Sequence, residues 1–279
     1  MTPWKYTDDS YRDYTRTAWN ESARKYTKLL RNLEPYGFDL IARVDPKVHE
    51  RCLDIATGPG EPAMSLARMV GLDGKVTGID LSEHMVELAA EAAKVRRIPN
   101  AEFRVMDAEK MDFPDETFDL AVSRFGFQIF TNPETVAQET LRVLATKGRI
   151  GVAVWSTAEK ASAIHAVVGP MLEFAEPDET GYLPTPYELG GSGEMVKLFE
   201  DAGFHETKEV RKTHTMAFKD EDEYFDVFVE GTPLGHSIRE EDPPVQKKIL
   251  SRTRENLRRW RTRKGIEIPC ECVIVTAHK

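Results

Sequence analysis

Between Arg51 and Trp155 the chain alternates short apolar runs with stretches of helical period. No other feature limits its fold as strongly. Strands are expected at Arg51–Ala56, Lys75–Asp80, Glu102–Asp107, Phe118–Ser123 and Arg149–Trp155, with helices at about Glu61–Val70, Ser82–Val95 and Pro133–Leu144 between them. Strand–helix alternation of this kind makes a parallel sheet with helices on both faces, an α/β fold. The second helix has the cleanest stripe, formed by Met85, Leu88, Ala89, Ala92 and Val95, and Ser82 is placed to cap it. Upstream, Tyr11–Leu33 reads as a helix with Trp19, Ala23, Tyr26 and Leu30 on one side.

The alternation stops after Trp155. Ala161–Phe174 looks helical, and Pro177–Gly193 is rich in Pro and Gly. Within it Pro184, Pro186, Gly190, Gly191 and Gly193 mark either a closing loop or a plain surface loop. Glu194–Ala202 is a helix stopped by Gly203, and His205–Phe218 alternates like a strand. Lys219–Gly265 is mostly charged and helical, and Glu267–Ala277 is a last strand. The expected organisation is N-terminal helices over 1–45, an α/β core over 46–156, a lid insertion over 157–193, a core helix and strand over 194–218, a helical insertion over 219–265 and a final strand over 266–279.

Length and charge exclude several classes. A chain of 279 residues suits one large domain or one domain with insertions. A net charge of −9 argues against whole-surface binding of DNA or RNA. The longest apolar run, Ile150–Trp155, is far short of the roughly 20 residues of a spanning helix, and Met1–Ser10 carries no basic-then-apolar leader. Cys52, Cys270 and Cys272 lack CxxC spacing and suit a reducing compartment, so the cytoplasm is expected. The histidines show no ligand spacing, and no metal is expected.

The chemistry concentrates in Leu53-Asp54-Ile55-Ala56-Thr57-Gly58-Pro59-Gly60-Glu61-Pro62, where a strand ends, two glycines follow and a helix opens with Pro62 in its first turn. Glycines there let a ligand approach the backbone, at the carboxyl edge where open α/β sheets bind ligands. Gly58-x-Gly60-x-x-Ala63 formally matches a dinucleotide fingerprint, and Asp80 follows twenty residues after Gly60. Charge separates the ligands. A diphosphate at this helix terminus would meet Asp54 and Glu61, with no Lys or Arg between Asp54 and Leu66. S-adenosylmethionine (SAM) has no phosphate and a net charge of +1, and it suits an acidic pocket. Asp80 would accept hydrogen bonds from its ribose hydroxyls, and Asp107 from its adenine amino group.

Four segments resemble the class I SAM-dependent methyltransferases, and within them the ubiquinone/menaquinone C-methyltransferase-like small-molecule branch. They are LDIATGPGEPAMSLA at 53–67, VTGIDLSEHMVELAAEAA at 76–93, FRVMDAEKMDFPDETFDLAVSRF at 103–125 and ETLRVLATKGRIGVAVWS at 139–156. The resemblance implies a Rossmann-like sheet of seven strands, the last antiparallel and inserted by a hairpin, here interrupted by lid-forming insertions. It implies that Asp54, Ala56, Thr57, Gly58 and Gly60 cradle the methionine part of the cofactor, with glycine commoner than alanine at position 56. It further implies that Asp80 meets the ribose, that Leu81 and Met85 pack near the adenine, and that Met106, Asp107 and Ala108 bind the adenine edge. Ser123 and Arg124 would meet the amino-acid end, and Trp19 and Tyr26 would close over the cofactor from an N-terminal helix.

The activity implied is methyl transfer by in-line displacement to a small, partly apolar molecule, with no obligatory catalytic residue. His165 and His214 are candidate bases, and His236 lies on the insertion. Phe125, Phe127 and Phe130 either wall an acceptor pocket or belong to the core. Lys247–Lys264 holds nine basic residues and one acid, with Leu250, Leu257 and Trp260 on one stripe. That run leaves open an RNA or protein acceptor. A nicotinamide oxidoreductase and a non-catalytic SAM-binding protein are also compatible with the sequence.

Overall fold

The computed structural model describes residues 9–174 and 186–279. Helix α1 (Asp9–Val44) leads into a core of β1 (Arg51–Ile55), α2 (Ala63–Val70), β2 (Lys75–Asp80), α3 (Glu83–Val95), β3 (Ala101–Val105), β4 (Phe118–Arg124), α4 (Pro133–Val143) and β5 (Leu144–Trp155). Then follow α5 (Ser162–Phe174), α6 (Glu194–Ala202), β6 (His205–Phe218), a short α7 (Glu221–Glu223) running into a π-helical turn (Tyr224–Val229), α8 (Pro233–Glu240), α9 (Pro243–Leu257), β7 (Arg261–Thr262) and β8 (Gly265–His278).

The strand order is β3-β2-β1-β4-β5-β8-β6. β1 to β5 pair in parallel, and β8 runs antiparallel between β5 and β6. The seven-stranded sheet with an antiparallel last strand is therefore present, with β7 added as a two-residue eighth strand on β8. Alternate strand residues feed opposite faces. Cys52, Val122 and Ala153 join the core beneath α1, whereas Leu53, Ala121 and Val152 join the core with α4 and α6. β5 ends at Trp155 opposite Cys272, but β6 and β8 continue to Phe218 opposite Ile266, about 20 Å further. The insertions pack on this projecting ribbon.

Short-range signals worked well. Ser82 caps α3 by accepting from the Met85 amide, and Gly203 (φ 105°) ends α6. Several boundaries and stripes differ. The N-terminal region is one 36-residue helix that carries Pro35 inside it, because its buried side (Leu33, Tyr36, Leu40, Val44) outweighs one missing backbone bond. Pro62 precedes α2 as its N-cap rather than lying in its first turn. Val95 is 75 % exposed, and Ala93 takes its place in the core. On α9 the buried stripe is Ile249, Thr253 and Leu257 rather than Leu250 and Trp260, and the basic run leaves the helix after Leu257 for a 3-10 turn (Arg258–Trp260) and the β7–β8 hairpin. Of the expected Pro/Gly loop, Pro184 lies outside the described residues, whereas Glu188–Gly190 forms a 3-10 turn on the end of β5. Among the described residues no helix is long and apolar enough to cross a membrane.

Candidate cofactor cleft

The carboxyl ends of β1, β2, β3 and β4 open into one cleft of about 830 Å³, its open mouth included. Its floor is Ala56 and Gly58 after β1, Asp80 and Leu81 after β2, Met106 to Glu109 after β3, and Arg124 to Gly126 at the end of β4. Met85 of α3 and Phe130 also line it, and α1 roofs it with Arg12, Thr15, Arg16, Trp19 and Tyr26. A cleft of this size at the turning point of strand order is where doubly wound sheets bind ligands.

The first turn is held by backbone conformations that side chains rarely adopt. Ala56 has φ 56° and Gly58 φ 55°. The left-handed Ala56 gives a physical reason for glycine's preference there, since a Cβ costs about 1–2 kcal/mol in that region. Its methyl is tolerated because Gly126 lies opposite: a Cβ on Gly126 would come within 2.8 Å of that of Ala56.

Asp80 fixes the loop from the next strand. Its Oδ2 accepts from the Gly58 amide at 2.8 Å and its Oδ1 from the Ser82 amide at 2.9 Å. Burial pushes its pKa up to about 6, against these two amides, which lower it. Asp107 accepts from the Glu109 amide and faces Arg12 at 3.3 Å. Arg12 also donates to Glu109 at 2.7 Å, and Glu109 in turn accepts from Asn132. Arg124 is only 6 % exposed, its Nε has no partner, and it forms no ion pair among those found for the described residues. Its guanidinium lies by the Tyr26 hydroxyl, whose pKa burial raises against that charge.

Four expected cofactor residues lie behind the wall instead of lining it. Asp54 is fully buried; one of its oxygens accepts from the Thr57 hydroxyl at 2.7 Å and the Ala63 amide at 3.0 Å, so it ties the loop to the start of α2. Gly60 (φ 95°) lets the loop pack on α3, where a Cβ would reach 3.1 Å from that of Ala89. Ser123 is buried and donates to the Ile55 carbonyl, and Thr57 serves Asp54. Asp54 and Glu61, expected to face the ligand as acids, do not line the cleft. Glu61 turns away, accepting from Ser65 and pairing with Arg96 at 2.8 Å. The carboxylates that do face the cleft are Asp80, Asp107 and Glu109, and Arg12, Arg16 and Arg124 line it beside them. The pocket is therefore mixed in charge, not simply acidic.

The histidine candidates do not reach the cleft. His214 bonds Asp39 of α1 at 2.7 Å, His165 faces Tyr187, and His236 bonds Glu21 and Glu240. Phe125 and Phe130 line the cleft, and Phe127 belongs to the core. Three of the nine basic residues in the run are answered by neighbouring acids and a ring: Arg252 by Glu173 and Glu255, Arg254 by Asp222 and the Phe225 ring, Arg261 by Glu221. The sequence reading missed Arg12, Thr15, Arg16 and Glu109. For Arg12 and Arg16 the signal was their i, i+4 spacing in the first turns of α1, which has no meaning until those turns meet Asp107 and Glu109.

Asp54 gives a pH test. Burial, the dominant cause, pushes its pKa up to about 7, against the Thr57 hydroxyl and Arg124. The folded state then binds a proton that the unfolded chain does not hold until near pH 4. Stability from this group is expected to rise as pH falls from about 7.5 to 5.5, by roughly 2 kcal/mol, and to be lost again as pH climbs. Urea midpoints at the two pH values should show a gain larger in the parent protein than in Asp54→Asn by about 2 kcal/mol, the remainder in the variant coming from groups such as Asp80.

The roof has its own test. Asn20 on α1 donates to Glu83 at 2.9 Å and accepts from the Ser82 hydroxyl. Asn20→Ala should free residues 12–20, raising their amide exchange about tenfold, since the lost bonds are worth roughly 1–2 kcal/mol. Unchanged protection would show that Arg12 and Arg16 hold the roof without it.

With this geometry established, comparison with known proteins identifies the core. A family model described as a methyltransferase domain matches residues 52–148. Aklanonic acid methyltransferase DauC of Streptomyces is 35% identical over 120 residues, covering 43% of this chain and 54% of that protein. Demethylmenaquinone methyltransferase of Thermotoga maritima is 36% identical over 137 residues, covering 46% of this chain and 56% of that protein. The chain thus spans about half the length of these curated relatives. The crystal structure of YcgJ protein from Bacillus subtilis shares the fold, with a TM-score of 0.62 at 18% identity over 87% of this chain and 97% of that one. Residues 52–148 thus match a methyltransferase domain, and over that core the chain is similar to SAM-dependent methyltransferases of the ubiquinone/menaquinone C-methyltransferase branch.

Proposed function

We propose that this protein is a SAM-dependent methyltransferase that methylates a small, partly apolar molecule. One observation carries the reading: a single cleft joins carboxylates after two successive strands, Asp80 and Asp107, to a buried guanidinium, Arg124, that forms no ion pair among the described residues. SAM offers the complementary groups, namely a ribose diol, an adenine amino group and a carboxylate, and the residues present fit it. An arginine so deeply buried is costly without an anion, and the cofactor's carboxylate is the anion that would complete it. A diphosphate would instead meet Asp80, Asp107 and Glu109.

When bound, SAM supplies an electrophilic methyl group on its sulfonium. The chain's own residues bind and orient. Asp80 would accept from the ribose hydroxyls while holding the Gly58 turn, and Asp107 would accept at the adenine edge between Met106 and Ala108. Leu81 and Met85 offer apolar contact, and Ala56 and Gly58 allow close approach. Trp19 and Tyr26 exclude water from above. Asp54, Thr57, Gly60 and Ser123 shape the floor without touching the ligand. With no histidine among the described residues that line the cleft, catalysis rests on positioning and dryness, which can supply roughly 7–11 kcal/mol.

The acceptor is read as a small molecule because DauC and the Thermotoga enzyme are named for such substrates, and because Arg252, Arg254 and Arg261 of the basic run pair with acids of the protein itself. The three thiols, buried and unbridged, support a cytoplasmic setting. Titration calorimetry should detect binding of both SAM and S-adenosylhomocysteine. Folded protein that binds neither ends the proposal.

A further inference from the structure

The helical insertion between β6 and β8 reaches the roof of the cleft. Its helix α8 packs on α1. The Tyr14 hydroxyl shares a hydrogen bond with that of Ser237 at 2.9 Å, and the Tyr14 ring meets the His236 imidazole edge-on at 5.1 Å. One turn and more along α1, Nδ1 of His236 lies 2.9 Å from Oε2 of Glu21, and Arg239 donates to the same oxygen at 3.1 Å. Tyr14 and Glu21 bracket Thr15, Arg16 and Trp19, which line the cleft.

His236 is the centre of this contact. Its side chain is 16 % exposed, and each ring nitrogen faces a carboxylate: Nδ1 that of Glu21, and Nε2 that of Glu240 at 3.4 Å. A neutral imidazole carries one N–H and one lone pair. In either tautomer the lone pair would face a carboxylate oxygen and repel it. The imidazolium offers a proton to both. The charges around it agree. Glu21, Glu230 and Glu240 surround one guanidinium, that of Arg239, which pairs with Glu230 as well as with Glu21. Further along α1, Lys25 and Lys28 share Asp226. Burial raises the pKa of Tyr14, so its hydroxyl stays neutral. Glu21 is held below the usual carboxylate range, first by its hydrogen bond with His236.

We propose that His236, as an imidazolium bridging Glu21 of α1 and Glu240 of α8, is a positioning residue that pins the roof over the cofactor cleft, and that the roof loosens when this proton leaves. The regulation of the cleft rests on the proposed function, whereas the bridge itself does not. The sign follows from linkage. The pinned roof keeps both carboxylates on the ring and so binds the proton more tightly than a lifted one. Acidity therefore favours the closed roof. Histidine is the side chain whose charge changes near neutral pH, so the device works in the range where a cofactor must enter and its product leave. His236 touches no ligand and takes no proton from the acceptor.

The test compares the full chain with Glu240→Gln at pH 6 and pH 9, reading amide-exchange protection factors of residues 14–21 without ligand. Glutamine suits either form of the ring, because its amide donates to a bare Nε2 and its carbonyl accepts from a protonated one. Asp54 and Asp80 titrate in both proteins and cancel in the comparison. The two should be alike at pH 6. At pH 9 the parent should be protected about fivefold less than the variant, the worth of one partly exposed charged contact. His236→Phe keeps the ring against Tyr14 but bonds neither acid, and it should exchange faster than the parent already at pH 6. Release of S-adenosylhomocysteine should follow the same pattern, equal at pH 6 and about fivefold faster from the parent at pH 9. Equal protection of parent and Glu240→Gln at pH 9, lower protection in Glu240→Gln, or an unaltered His236→Phe each overturns the assignment. Failure of the parent to bind S-adenosylhomocysteine would instead strike the proposed function, and the ligand-free exchange would still judge His236.

Discussion

Arg124→Met is expected to cost the protein most of its affinity for S-adenosylhomocysteine while leaving the ligand-free fold as stable as before, or more so. Both halves follow from one fact. The guanidinium is buried at the end of β4 and forms no ion pair among the described residues. Hydrogen bonds to a charged group contribute about 1.5–3 kcal/mol, so the dissociation constant should rise between tenfold and more than a hundredfold. Methionine fills much of the same space without a charge to desolvate, and replacing uncompensated buried charge by apolar volume is often stabilising. Calorimetry and a urea melt read the two effects separately. An unaltered dissociation constant would take Arg124 out of the site. A marked drop in the melt would mean that the charge is satisfied within the protein.

Asp80→Ala should weaken the same ligand by roughly 1–3 kcal/mol, and here Asp80→Asn separates two roles. The carboxylate both holds the Gly58 and Ser82 amides and faces the cleft. Asparagine keeps one acceptor oxygen for the loop but loses the second, so it should fall between the parent and alanine. Acidity adds a sign. The pKa of Asp80 is pushed up to about 6 by burial, so ligand affinity should fall as pH drops through that value and the acceptor is protonated. Asp80→Asn should lack this part of the pH profile. Equal affinities across parent, Asn and Ala would leave the ribose assignment without support.

Much of the scaffold was legible from local pattern. The strand His205–Phe218, the helix Glu194–Ala202 with its Gly203 stop and the Ser82 cap depend on residues within a few positions of one another, and they occur where the sequence puts them. The positions of Asp80 and Asp107 follow in the same way, because a residue at the end of a parallel strand reaches the carboxyl edge whatever its neighbours are. The site's balance of charge was not legible. Glu61 reads as an acid facing the ligand until Arg96, thirty-five residues on, draws it aside. Arg12 reads as an ordinary helix arginine until the fold brings the start of α1 to Asp107 and Glu109 in the turn after β3. His165 and His214 read as candidate bases, and only packing shows that neither lines the cleft.

The sequence on its own determined the parallel sheet, the glycine turn at its carboxyl edge and the acids after β2 and β3. Periodicity and backbone freedom act over a few residues and need no partner. Tertiary structure alone decided which charges face the cleft, which neutralise one another, and that Arg124 is left unpaired. Electrostatic and packing energies depend on distance in space, and the groups that set them here come from helices and strands far apart along the chain.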